Sequence, residues 1–70
     1  MPTMRSVYSS TVNSVGYDPD TKELHVEWQS GKTSIYSDVP PQKAHQVMNA
    51  ASVGKAIHEM IKPDHDHTYK

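Results

Sequence analysis

Seventy residues with no cysteine make a single domain (1–70) with a small core, and they exclude disulfides, thiol catalysis and Cys-containing zinc sites. Seven basic against eight acidic residues leave a net charge of −1 with neither half far from neutral, which is not the electrostatic signature of a strong nucleic-acid binder. No apolar run is long enough for a signal peptide or a membrane span, so a cytoplasmic protein with no membrane partner is expected.

Residues 1–8 are polar and read as a flexible arm able to tack onto a sheet edge. The core then runs from about residue 9 to residue 62. Between Thr11 and Tyr17 the strand pattern is imperfect, because Val15 and Tyr17 share a face and Val12 does not. A bulge or a late strand start would reconcile them. Asp18-Pro19-Asp20-Thr21-Lys22 is a turn signal, since Pro presets φ and Asp side chains bond back to the local backbone.

Leu24, Val26 and Trp28 alternate with His25, Glu27 and Gln29, which predicts a half-buried antiparallel strand. Thr33-Ser34-Ile35-Tyr36 is the returning strand. Two registers are open. A two-residue Ser30-Gly31 loop sets Val26 opposite Ile35, whereas a three-residue Gln29-Ser30-Gly31 loop with Gly31 in the left-handed bulge position sets Leu24 opposite Tyr36 on the core side. Ser is a poor first residue for a primed turn, which favours the longer loop.

Asp38-Val39-Pro40-Pro41 ends the sheet, because proline cannot donate to a ladder yet is tolerated in the first turn of a helix. Ala44, Val47, Met48 and Ala51 then form one apolar helical stripe. Ser52 is the expected N-cap of a second helix carrying Val53, Ala56, Ile57, Met60 and Ile61, which Lys62-Pro63 closes. Residues 63–70 read as a flexible polar tail. The architecture expected is a small α+β domain: a three-stranded antiparallel β-meander followed by two short α-helices packed on its Leu24/Val26/Trp28 face. The opposite face, with His25, Glu27 and Gln29, is left open to water or a ligand.

The order of landmarks is itself informative. Val15-Gly16-Tyr17-Asp18, the Leu24/Val26/Trp28 strand, Gly31, Tyr36, Val39-Pro40, then Ala51-Ser52-Val53-Gly54-Lys55 and Ile61-Lys62 resemble the KTSC domain from about Ser9 to Lys62. That family comprises modules of roughly sixty residues at the C-terminus of some lysyl-tRNA synthetases and free-standing small bacterial proteins. Its central tyrosine pair is reduced here to Tyr36, with Ser34 in place of the first, while Ile57 and His58 replace an aromatic and an asparagine of the second helix. The resemblance implies the fold and, through the synthetase context, RNA binding. It carries over no catalytic residue.

A nucleic-acid or anion site would draw on Lys32 at the hairpin tip, Lys43, and Lys55, His58 and Lys62 of the second helix, with Tyr36 or Tyr17 as a stacking surface. The plainer account makes Lys55, Glu59 and Lys62 a solvated stripe and the tyrosines core. Ser52-Val53-Gly54-Lys55 suits an anion at a helix start, but it lacks the lead-in of a phosphate-binding loop; Ser52 as cap and Gly54 as packing position explain it. Gly31, Val39 and Pro40 complete the structural set. Asp64-His65-Asp66-His67 has metal-binding residue types without a rigid surround and reads as solubilising sequence. Five histidines added to a charge of −1 give +4 when all are protonated, so anion affinity should rise as pH falls through about 6.5.

The expectation is a non-enzymatic binding module, with no cofactor or metal, directed at RNA or single-stranded nucleic acid. The alternative is a protein-interaction module or homodimer that uses the open sheet face or an edge strand.

Overall fold

In the computed structural model, which describes residues 4–7, 9–63, 65 and 67–69 (the last three by backbone alone), five antiparallel strands lie across one sheet in sequence order. These are β1 (Arg5–Ser6), β2 (Val12–Asp18), β3 (Glu23–Trp28), β4 (Thr33–Tyr36) and β5 (His67–Tyr69). Helices α1 (Pro41–Met48) and α2 (Val53–Ala56) fall between β4 and β5, and α2 runs directly into a π-helical stretch, Ile57–Ile61. The expected meander is β2, β3 and β4. The segments read as arm and tail contribute two further edge strands, pairing Arg5 with Val15 and Ile35 with Thr68. Edge pairing is made by the main chain and needs no apolar alternation, so polar sequence concealed it.

Three backbone features fix which side chains face the helices. In β2 the register steps between Val12 and Ser14, so that Val12 faces Trp28 while Val15 faces Val26. This bulge at Asn13 returns Val12 to the face of Val15. At the next turn Asp18 Oδ1 accepts the N–H of Asp20 at 3.0 Å and of Thr21 at 3.4 Å, and Lys22 adopts φ 59°. The third feature is the β3–β4 hairpin. Trp28 N–H donates to Lys32 O at 2.8 Å, Gly31 N–H to Trp28 O at 2.9 Å, and Gly31 has φ 94°. The loop is therefore Gln29-Ser30-Gly31, Leu24 faces Tyr36, and Val26 faces Ser34.

Pro40 caps α1 with an extended backbone and Pro41 occupies its first position, as the double proline predicts. Asn49 ends the helix earlier than the apolar stripe implies. Its N–H and its side-chain amide both donate to His45 O, at 3.1 and 2.9 Å, and Ala51 lies exposed beyond the end. Ser52 holds the N-cap position of α2 in extended conformation, but its hydroxyl makes no capping bond; the first turn closes through Ala56 N–H to Ser52 O at 3.0 Å. Lys62 N–H reaches back five residues to Ile57 O at 2.8 Å, and the widened turn buries both Ile57 and Ile61 completely.

The core lies between the helices and the sheet face of Val15, Leu24, Val26 and Tyr36, and each large side chain fully buried there contributes about 1.5–3 kcal/mol. Tyr36 is 2% exposed, a core residue. The opposite face is more closed than expected. His25 is only 8% exposed, beside Gly16, while Glu27 is held by Asn13 Nδ2 at 2.7 Å and Ser14 Oγ at 3.1 Å.

At Gly54 helix α2 comes close to the turn that leads into β2. A Cβ built there would stand 2.4 Å from Thr11 Oγ1. Gly54→Ala should therefore cost up to about 1 kcal/mol in urea denaturation as the exposed Thr11 side chain is displaced, and the loss should vanish or reverse when Thr11→Ala removes the obstructing oxygen. Equal losses in both backgrounds would show that the contact is not what matters.

The Tyr17 hydroxyl donates to Val39 O, joining β2 to the segment that enters α1. Burial, and secondarily the Asp18 carboxylate, raise the phenol's pKa above its ordinary value of 10.0. The folded state thus keeps its proton where the unfolded chain begins to lose it, so the stabilisation is complete below about pH 10 and declines as pH rises through that range. Alkaline titration of stability should show a shallower decline in Tyr17→Phe than in the parent.

Candidate nucleic-acid interface

Trp28 is the last residue of β3, at the end of the sheet crossed by α2. Its position there follows from the strand's alternation, which points it to the helix side, and from the bulge that sets Val12 opposite it. The indole is half-buried, and Nε1–H donates to Ser34 Oγ at 2.8 Å, which fixes the ring's orientation. Ser34 is 2% exposed, so this hydroxyl is an internal anchor. His58, one turn beyond Gly54, places its ring 6.2 Å from the indole centroid with the planes inclined at 41°.

The segment before β2 forms the other wall. Ser9 Oγ accepts the backbone N–H of Thr11 and of Val12, each at 3.2 Å, and Gln29 ties the hairpin to this turn through its N–H to Thr11 O at 2.8 Å. Two cavities open between these walls. One, of about 370 Å³, is lined by Trp28, Ser34, Tyr36, His58, Lys32 and Lys62 among others; the second, of about 620 Å³, by Ser9, Ser10, Ser52, Gly54, Lys55 and His58 among others. Thr11 and His58 belong to both, so the two cavities adjoin, and together they are the groove.

Five of the six expected binding residues, Lys32, Tyr36, Lys55, His58 and Lys62, line this groove. Lys43 does not. It projects from α1, where its Nζ lies 3.0 Å from Nε2 of His65, while His65 Nδ1 lies 3.0 Å from Ser37 O. A carbonyl only accepts, so Nδ1 carries the proton and Nε2 receives the ammonium. Tyr36 contributes wall rather than platform, because its face is already spent in the core. Tyr17 is likewise engaged elsewhere. The ring presented to the groove is Trp28, which the sequence assigns to the core; its place at the strand's very end was the available signal. Gly31 serves the hairpin loop, and Val39 and Pro40 the passage into α1.

Among the described residues no Asp or Glu lines either cavity. Lys55 has Glu59 at 4.0 Å on the helix exterior, with the side chains 74% and 64% exposed, an ion pair that solvent screens to little effect. Among the described residues no three or more His, Asp or Glu side chains gather as a metal site; Asp64 and Asp66 of the tail motif lie outside the described residues.

Comparison with known proteins assigns this architecture. A model of the KTSC domain matches residues 8–65. The chain belongs to the KTSC domain family. An uncharacterised protein of Stutzerimonas stutzeri is 37% identical over 60 residues, covering 86% of this chain and 84% of its own length. A protein of Tsukamurella paurometabola is 33% identical over 60 residues, with 86% and 90% covered. The crystal structure of a KTSC domain protein from Yersinia pestis superposes with a TM-score of 0.94 at 28% identity, over 100% of this chain and 99% of that one. The bulge, the hairpin and the helix pair of this KTSC domain thus belong to a fold seen by experiment.

The indole anchor is directly testable. Ser34→Ala removes the acceptor of Trp28 Nε1–H and should cost about 1 kcal/mol of stability while moving the indole N–H proton resonance upfield. An unmoved resonance would mean that the bond is not made in solution.

Proposed function

We propose that this KTSC domain is a non-enzymatic cytoplasmic module that binds single-stranded RNA weakly in the Trp28 groove. The observation that carries the reading is the gathering of Lys32, Lys62 and His58 around one oriented indole, with Lys55 in the adjoining cavity and no carboxylate among the described lining residues. Lysines attract backbone phosphates and an aromatic face stacks an unpaired base, worth about 1–3 kcal/mol per base. Weak binding follows from the small number of contacts and from a net charge of −1, which supplies no long-range attraction.

Three lysine–phosphate contacts on a single strand correspond to a log–log salt slope of about −2, or about a 20-fold loss of affinity between roughly 50 and 200 mM salt. The test is a ¹H–¹⁵N titration with a short mixed-sequence RNA near pH 6.5, at low and then moderate salt. Salt-sensitive shifts on the hairpin tip and on residues 54–62, lost in Lys55→Glu and Lys62→Glu with the fold intact, are the expected result. Absence of shifts at millimolar RNA would overturn it, and salt-insensitive line broadening that grows with protein concentration would mark self-association instead.

A further inference from the structure

The two halves of the groove differ in chemistry. Ring walls define the first: Trp28, Tyr36 and His58 surround it, with Ser34 beneath. Hydroxyls define the second, where Ser9, Ser10, Thr11 and Ser52 accompany Lys55, and His58 is the sole ring among the described residues. A flat heterocycle gains most from the former by stacking, and an anion gains most from the latter through a cation and hydroxyl donors. Both volumes, about 370 and 620 Å³, fall in the range of small-ligand sites.

Resting on the RNA reading above, we infer that the groove receives one nucleotide unit of the strand, its base against Trp28 and His58 in the first cavity and its phosphate beside Lys55 in the second. His58 stands where the sugar would join them, since it lines both cavities. The 41° inclination between its ring and the indole means that the two do not stack flat on each other, which leaves the indole a face for the base. Ser34 holds that face in place before any ligand arrives. Lys32 and Lys62, at the rim of the base cavity, meet the neighbouring phosphates of a longer strand. Stacking is tolerant of base identity, so the site reads the presence of an unpaired nucleotide rather than a sequence.

Four probes at constant ionic strength test this on the labelled full chain: adenosine, inorganic phosphate, adenosine monophosphate and a trinucleotide RNA. Adenosine should move the Trp28 indole N–H and Ser34, phosphate should move Lys55 and Ser52, and the mononucleotide should move both sets with at least tenfold higher affinity than either part. The trinucleotide should move the same signals and bind more tightly than the mononucleotide. His58→Ala and Lys55→Gln, both at exposed positions, should each weaken the mononucleotide about tenfold. Only the second should leave adenosine binding unchanged. A mononucleotide that moves only the Lys55 set, or a trinucleotide that binds in the groove without moving Trp28, overturns the one-nucleotide inference while the RNA reading stands. A trinucleotide no tighter than the mononucleotide keeps the pocket but overturns the strand as its source. Silence from all four probes removes both readings.

Discussion

The register of the β3–β4 hairpin is the constraint on which the remainder of the molecule depends. A side-chain period of two means that a shift by one residue would exchange the faces of a strand. With Gln29-Ser30-Gly31 as the loop, Leu24 and Tyr36 pair on the helix side and Val26 meets Ser34. The same choice sets Ser34 Oγ under the indole of Trp28. A two-residue loop would have brought Ile35 to the core and carried Tyr36 and Ser34 to the other face, leaving the indole N–H without its anchor and the groove without its floor. Gly31, free to adopt φ 94°, is the residue that makes this loop inexpensive.

A second constraint acts through close approach. Gly54 lets α2 descend onto the Ser9–Thr11 turn, and the π-helical stretch that follows turns Ile57 and Ile61 inward together. His58 is then directed outward beside Trp28. The groove is consequently the seam where the helix cover ends before the sheet does. Half-buried aromatic surface is left at that seam because a domain of this size lacks the material to bury it. The lysines gather around it from the hairpin tip and from the exposed side of the second helix, and they come from elements more than twenty residues apart in the chain.

How legible this was in the sequence varied with the kind of interaction. Alternation at Leu24, Val26 and Trp28, the Asp-Pro-Asp turn and the double proline each have a local cause, and the structure places them as their chemistry requires. Ala51 misled because apolar spacing continued past Asn49, whose side chain competes for the last carbonyl and stops the helix. Ser52 sat where a cap belongs without using its hydroxyl, since the backbone alone closed the turn. The edge strands Arg5–Ser6 and His67–Tyr69 escaped notice because their pairing is a main-chain property.

The candidate site shows the same division. Lys32, Lys43, Lys55, His58 and Lys62 were recognisable as candidate anion-binding residues, and the structure gathers all but Lys43, which lies against His65, along the groove. Trp28 and Ser34 were hidden, because a strand pattern reports a side chain's face but not how far the opposing helix extends over it. The sequence by itself determined the three central strands, the two helices that follow, their order and the family, since propensity, periodicity and turn chemistry act over a few neighbouring residues. Only the tertiary structure decided which cations share a groove with an aromatic ring, because that depends on where α2 comes to rest on the sheet, a position set by contacts such as Gly54 to Thr11 between segments distant in the chain.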